Sequence, residues 1–242
     1  MKHTILGVGC LLLMGLSWQV GAYDEDDLKE LLATKVCQKC DLGGANLTGA
    51  SLWYSNLSHA NLVGANLSGA NLKDADLHGA NLTGVNLTEA SLWIVNLTGA
   101  NLTGAILRGA YLTKVELEGA DLTGADLTAA ELEEANLTRA NLTDANLTGA
   151  NLFEADLTKA NLTGAKLLRT NLNSADLPKA NLTRAKLLRT NLNSADLSFA
   201  NLTGASLWNI NLTSANLVGA KLSDANLCNT AMPDGSIVYS GC

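Results

Sequence analysis

Leucine returns at every fifth position from Leu42 to Leu227, 38 times without a break. Two residues ahead of each leucine stands a small residue, mostly alanine, with Ser, Val, Thr or Ile in places. Asn or Asp usually lies between the two, and Thr, then often Gly, follows the leucine, so the unit reads A-(N/D)-L-T-G. A period of five fits neither the 3.6-residue spacing of a helix face nor the two-residue alternation of a strand. It predicts a solenoid, in which each unit forms one side of a coil and turns a corner, because no unit can bury its apolar positions without its neighbours. Leucine and the preceding small residue are predicted to point inward and fill the axis, leaving no pore. Leucine burial alone does not offset the entropy of ordering so long a chain. Backbone hydrogen bonds between coils, and ladders of stacked Asn and Thr side chains, are predicted to supply the rest.

The number of sides comes from a duplication. KLLRTNLNSADL begins at Lys166 and again at Lys186. A coil of four units repeats after twenty residues, and copying one whole coil preserves every stacking relation. NLTGASLW from Asn46 and NLTEASLW from Asn86 are forty apart, which is two such coils. NLTGASLW returns at Asn201, off that spacing, so the five-residue unit also spread by itself. Glycine after threonine suits a corner of positive φ, and Pro178 in the threonine slot suits a preset φ.

The unbroken frame from Cys40 through Asn229 resembles the pentapeptide-repeat family. That resemblance implies an all-β solenoid, a right-handed quadrilateral β-helix. Four units per coil give it about 9.5 coils, and strand-like spacing a length of about 45 Å. VCQKCDLGGANL before the repeats and CNTAMPDGSIVYSGC after them look like the exported members typical of cyanobacteria.

The flanks divide the chain further. Residues 1–22, MKHTILGVGCLLLMGLSWQVGA, read as a signal peptide: Lys2 and His3 in front, an apolar run from Ile5 to about Leu16, and small residues at Val20-Gly21-Ala22. The run is too short to span a bilayer, and Gly7-Val8-Gly9 makes a poor leader for Cys10 as a lipoprotein cysteine. Residues 23–39 are predicted to hold a capping helix over Asp24–Lys35, with acids in its first turn and Leu28, Leu31 and Leu32 on one face. Residues 40–229 form the β-helix. Residues 230–242 break the repeat and are predicted to fold over the far end, with Pro233-Asp234-Gly235 as a turn.

Loss of Cys10 with the leader leaves four cysteines, an even number in an exported chain. The length of the rod puts pairing across its two ends, or a single four-cysteine zinc site, out of reach. The predicted pairs are therefore Cys37–Cys40 and Cys228–Cys242. Cys37-Gln38-Lys39-Cys40 also has the spacing of a thiol-redox motif, without the βαβ setting in which such motifs work.

The chain carries a formal charge of −7, and sorting outward residues by position within the coil shows where it falls. One column holds Asp76, Glu116, Asp156, Asp176 and Asp196, with Asp74, Glu118, Glu133, Glu134 and Glu154 beside it. These are ten of the 17 acids in residues 40–229, so one side is acidic. Half a coil away stand Arg108, Lys166, Arg169, Arg184, Lys186 and Arg189, which makes the rod dipolar across its width. Arg139, Lys159 and Lys179 lie beside the acidic stripe and are expected to neutralise part of it. Two apolar columns also face outward: Trp53, Trp93 and Phe153, with Tyr54 and Ile94 beside them, and Leu168, Leu188 and Trp208, flanked by Lys166, Lys186, Arg169 and Arg189. Stacked apolar residues form patches, and patches mark partners, so the second column is the candidate interaction surface.

No catalytic residue, cofactor site or metal site is read from the sequence. His3, His59 and His78 are few and scattered, no phosphate-binding glycine loop occurs, and the Asn-Leu-Thr triplets that match a glycosylation acceptor are the repeat itself. The chain is expected to be a non-enzymatic structural or protein-interaction module, exported to a periplasm or thylakoid lumen, meeting an unknown protein partner as a monomer or end-to-end dimer. Neither nucleic acid nor stable membrane insertion is expected. The resemblance implies an alternative, because some family members mimic B-DNA in shape and charge and inhibit DNA gyrase. The acidic stripe suits that, while the leader, the basic face and the cysteine pairs argue against it. A thiol-redox role for Cys37 and Cys40 is the third reading.

Overall fold

The computed structural model describes residues 23–242, so the leader read at 1–22 lies outside the described residues. Every fifth residue from Val36 to Asn211 forms a parallel bridge with the residue twenty places ahead, Lys166 with Lys186 among them. Each leucine N–H from Leu42 to Leu212 donates to the next coil, as Leu62 does to the Asn81 carbonyl at 2.7 Å, and the Asn81 N–H donates back to the Ala60 carbonyl at 2.9 Å. Five residues a side and twenty a turn make a closed four-sided coil.

The corners explain the period. In nearly every unit the small residue's N–H donates back to the leucine carbonyl, as Ala65 does to Leu62 at 3.0 Å. The third residue of every such turn, from Gly44 to Asn229, has positive φ, the mark of a type II turn. Glycine fills fewer than half of these positions, which narrows the expectation that it defines the corner. Charged, polar and even β-branched residues stand there, Ile94 at φ 58° among them. A left-handed non-glycine residue costs about 1–2 kcal/mol. It persists because its N–H is bonded to the next coil, Ile94 to the Thr113 carbonyl at 3.2 Å, so neighbouring rungs over-determine the strained backbone.

Leucine and alanine fill the axis, fully buried along nearly the whole repeat. Where threonine replaces alanine in the duplicated coil, Thr170 Oγ1 donates to the Leu147 carbonyl at 2.7 Å and Thr190 Oγ1 to that of Leu167 at 2.6 Å. A hydroxyl is thus accommodated without an orphaned polar atom. The Ser55 hydroxyl, buried in the same kind of slot, has no such partner.

The rungs run past the sequence repeat at both ends, from Val36 to Ala231. At the start Cys37 takes a leucine slot and Cys40 an alanine slot, both buried, with their sulfurs 2.00 Å apart. Helix α1 (Glu25–Thr34) lies against this first coil. Asp24 caps it by accepting from the Asp26 and Asp27 N–H groups, and the Asp27 carboxylate accepts from the Asp41 N–H at 2.7 Å. Leu31 is fully buried and Leu28 partly, but Leu32 is 52% exposed, so the expected three-leucine face buries only two.

At the far end β1 (Thr230–Ala231) and β2 (Ile237–Val238) form an antiparallel hairpin. It is closed by Met232 donating to the Ser236 carbonyl at 2.8 Å, and the Cys228 and Cys242 sulfurs lie 1.97 Å apart. The tail covers Leu212, Ser214 and Leu227, whose N–H groups donate to Ala231, Pro233 and Ser240 carbonyls. It does not cover residues 216–225, where Leu217, Ala220, Leu222 and Ala225 remain only partly buried. The expected lid over the whole far end therefore covers half of it.

The corner strain gives a paired prediction. A Cβ at Gly104 would meet nothing within 4 Å, so Gly104→Ala should cost about 1 kcal/mol through φ alone. Ile94→Gly should gain about as much. Urea melts of the two variants check both signs.

Candidate functional site

Leu168, Leu188 and Trp208 stack on successive coils and, with Lys166, Lys186, Thr148 and Ser206, line an open groove of about 370 Å³. The bridges Lys166–Lys186 and Lys186–Ser206 run along one wall. Arg189 stands at the adjacent corner, where Leu188, Trp208, Asn209 and Asn229 line a second depression of about 210 Å³. A third, of about 390 Å³, continues round that corner past Thr190, Asn191, Ile210 and Asn211. The sequence columns thus meet as one concave, apolar-floored and basic-walled surface. Trp208 is half exposed, while the two leucines are partly sheltered by the stacking itself.

The basic character belongs to these upper coils. Lower on the same side Arg108 pairs with Asp126 at 2.6 Å, an acid outside the columns that make the rod dipolar. Burial pushes the Asp126 carboxyl up, but the Thr128 hydroxyl and the Arg108 guanidinium outweigh it and hold the group below its ordinary value.

Asparagine interrupts the acidic column. Asn96 donates to Asp76 at 3.0 Å and Asn136 to Glu116 at 2.7 Å, so only Asp156, Asp176 and Asp196 stack without a break. Arg139 pairs with Glu118 at 3.3 Å, but among the described residues neither Lys159 nor Lys179 pairs with the aspartates beside it. Their expected neutralising role is corrected accordingly: long lysines on an exposed corner stay in water.

A regularity of the turns singles out Asp176. The Asn or Asp of a unit accepts from the N–H two residues on, as Asp156 does from Thr158 at 2.8 Å and Asp196 from Ser198 at 2.9 Å. At Asp176 that residue is Pro178, which has no N–H to give. Partial burial, and then the flanking Asp156 and Asp196 charges, raise its pKa above the ordinary carboxylate value.

The other apolar column is not continuous either. Lys73 separates Trp53 from Trp93, its Nζ 4.0 Å from the centre of the Trp93 ring, a cation–π contact. Phe153 stands three coils beyond Trp93, and the exposed Tyr111 is bridged to Ser91, two residues before Trp93. The histidines expected to be scattered are not: the His59 and His78 rings are 4.6 Å apart, and His78 Nδ1 lies 2.9 Å from Asp76. The signal was in the sequence, since the two positions fall in neighbouring columns one coil apart. Among the described residues no group of three or more His, Cys, Asp or Glu side chains is arranged to hold a metal, and no helix is long and apolar enough to cross a membrane.

The family model described as pentapeptide repeats matches in eight copies over residues 40–93 and 95–230. Among solved structures the chain is similar to HetL, a pentapeptide repeat protein involved in heterocyst differentiation regulation from the cyanobacterium Nostoc sp. strain PCC 7120. Identity is 38%, covering 90% of this chain and all of that one, with a TM-score of 0.84. It also matches QnrB1, a plasmid-mediated fluoroquinolone resistance protein, at 16% identity over 82% of this chain and 88% of that one, with a TM-score of 0.51, a likeness of fold alone. No curated protein matches the chain in sequence.

Asp176 supplies the prediction. Its raised pKa means that the ionised carboxylate is disfavoured in the fold. Its contribution to stability is present below the ordinary carboxylate pKa and lost as pH rises through the raised value. Asp176→Asn should therefore stabilise at neutral pH, and the gain should fade as pH falls through that window. Thermal melts of both proteins across the acid range check it.

Proposed function

The chain belongs to the pentapeptide-repeat family, whose members fold as right-handed quadrilateral β-helices, and on that footing we propose that it is a non-enzymatic interaction module exported from the cytoplasm. In this reading the rod comprises about 9.5 coils, preceded by a leader at 1–22 and by the capping segment 23–39, and closed by the tail 230–242. Its contact surface is the groove of Leu168, Leu188 and Trp208 between Lys166, Lys186, Arg169 and Arg189, and its partner is a protein presenting acidic groups around an apolar anchor. The observation that carries this reading is the groove's make-up: an apolar floor exposed to water, walled by Lys166 and Lys186 with Arg189 at the adjacent corner, none of the three paired with a carboxylate among the described residues. Such patches on soluble proteins mark binding sites, and Trp and Arg dominate their energetics.

Cysteine chemistry supports the location. Pairs at both ends suit an oxidising compartment, a periplasm or thylakoid lumen. Burial of Cys37 and Cys40 under the first coil favours a staple over a redox centre, whose thiolate must be reached by solvent. A relative named for differentiation regulation supports a binding role over a catalytic one. The uncovered edge at residues 216–225 supports end-to-end pairing over a lone monomer.

The alternative, DNA mimicry against gyrase, has the stacked Asp156, Asp176 and Asp196 in its favour. The asparagines that break the column below them argue against it, because a DNA surrogate needs charge along its length. No inhibition of gyrase supercoiling by micromolar protein disposes of it.

The test of the main reading is affinity capture from the exported compartment with three baits. Wild type should retain a partner that both Leu168→Ser/Leu188→Ser/Trp208→Ser and Lys166→Glu/Lys186→Glu lose, and its retention should weaken as salt rises. Equal recovery on all three baits removes the groove from the account.

A further inference from the structure

His59 and His78 stand on adjacent coils at one corner, their ring planes at 79° and their centres 4.6 Å apart. His78 Nδ1 lies 2.9 Å from one Asp76 carboxylate oxygen and 3.1 Å from the other. In the neutral ring this contact keeps the proton on Nδ1 and leaves the Nε2 lone pair free. Gly79 makes the arrangement possible. The His59 ring lies where a side chain at residue 79 would sit, its Nδ1 2.5 Å from the position of a Cβ there. Both rings reach solvent: His59 is exposed, and the His78 side chain is 42% accessible.

We propose that His59 and His78 form a two-histidine binding site for a late first-row divalent cation, Cu²⁺ above Zn²⁺, with Asp76 orienting His78 from behind. Geometry supports it first. At metal–nitrogen distances of about 2.0–2.1 Å, two neighbouring imidazoles on one ion hold their ring centres about 4.5–5 Å apart. The observed separation of 4.6 Å falls within that range. Chemistry supports it next: imidazole suits copper, zinc and nickel, and for a given nitrogen site affinity peaks at Cu²⁺. The carboxylate behind His78 is the third element. It fixes the tautomer, aims the ring and raises the basicity of the ligating nitrogen, as outer carboxylates do in established metal sites. Two protein nitrogens leave the remaining positions to water, so the site is open to solvent. Binding requires a lone pair on the ligating nitrogen of each ring.

The test is a CuCl₂ titration of the full chain carrying His3→Gln and Cys10→Ser, with both disulfides formed, followed by calorimetry and electron paramagnetic resonance. One equivalent should bind, with hyperfine structure from two nitrogens. His59→Gln or His78→Gln should abolish that equivalent. Asp76→Asn should weaken it by about tenfold or more while leaving the nitrogen count at two. Gly79→Ala keeps every donor but crowds the His59 ring, and should also weaken binding. Circular dichroism melts confirm that each variant is folded before it is titrated. An equivalent that survives either histidine substitution, or a parent spectrum with a single nitrogen, overturns the site. Unchanged affinity in Asp76→Asn overturns the orienting role.

Discussion

Vertical registry of the backbone is the constraint on which the rest of this molecule depends. Each side of a coil bridges to the side twenty residues on, and the same rungs that hold the coils together satisfy the backbone donors that the corners would otherwise leave bare. Because the registry holds from Val36 to Ala231, a side chain's neighbours are set by its position within the coil and hardly at all by its own chemistry. Surface features therefore come as columns, and a column has a character only when successive coils agree. Lys166 over Lys186 and Leu168 over Leu188 agree because one coil was copied. Asp76 and Glu116 are diluted because an asparagine lies between them.

Asparagine and aspartate are the most versatile residues in this scheme. Within a unit their side-chain oxygen accepts from the N–H two residues on, as Asn81 does from Thr83 at 3.3 Å, and from the Thr83 hydroxyl at 2.7 Å. Between coils the amide reaches the coil before it: Asn161 donates to Asn141 and to Thr143, and Asn181 to Asn161 and to Thr163. One side chain thereby closes a turn and joins a ladder, and each interaction fixes the rotamer that the other requires. Pro178 shows where the scheme is incomplete: it has no N–H for the Asp176 carboxylate to accept, so that aspartate closes no such turn.

Much of this was legible in the sequence, and particular residues show where legibility stopped. The unbroken leucines and the copied coil set the period, the number of sides and the inward faces. Leu32 misled because a helix face drawn on a wheel does not say how deeply the helix sits: Leu31 is buried and Leu28 partly, while Leu32 stays exposed. Glycine misled as the mark of a corner because positive φ is imposed by rungs to residues nineteen places away, as Ile94 to Thr113 shows, against the side chain's own preference. His59 and His78 escape a sorting of charged and apolar positions alone, although the same sorting extended to histidine brings the two rings together. The far end was overestimated because the tail's length says nothing of which sides it covers. The partner is not legible at all: a groove states the chemistry it will accept and not the molecule that brings it.

A cross-linking comparison tests the registry most directly. Residues bridged across coils at strand spacing lie about 4.8 Å apart, inside the span a disulfide accepts. Lys166→Cys/Lys186→Cys should therefore cross-link on mild oxidation, as mapped by mass spectrometry, while Lys166→Cys/Asn181→Cys, a quarter coil out of register, should stay reduced. A cross-link in the second pair and none in the first would contradict the twenty-residue coil, and with it every face assigned to the rod.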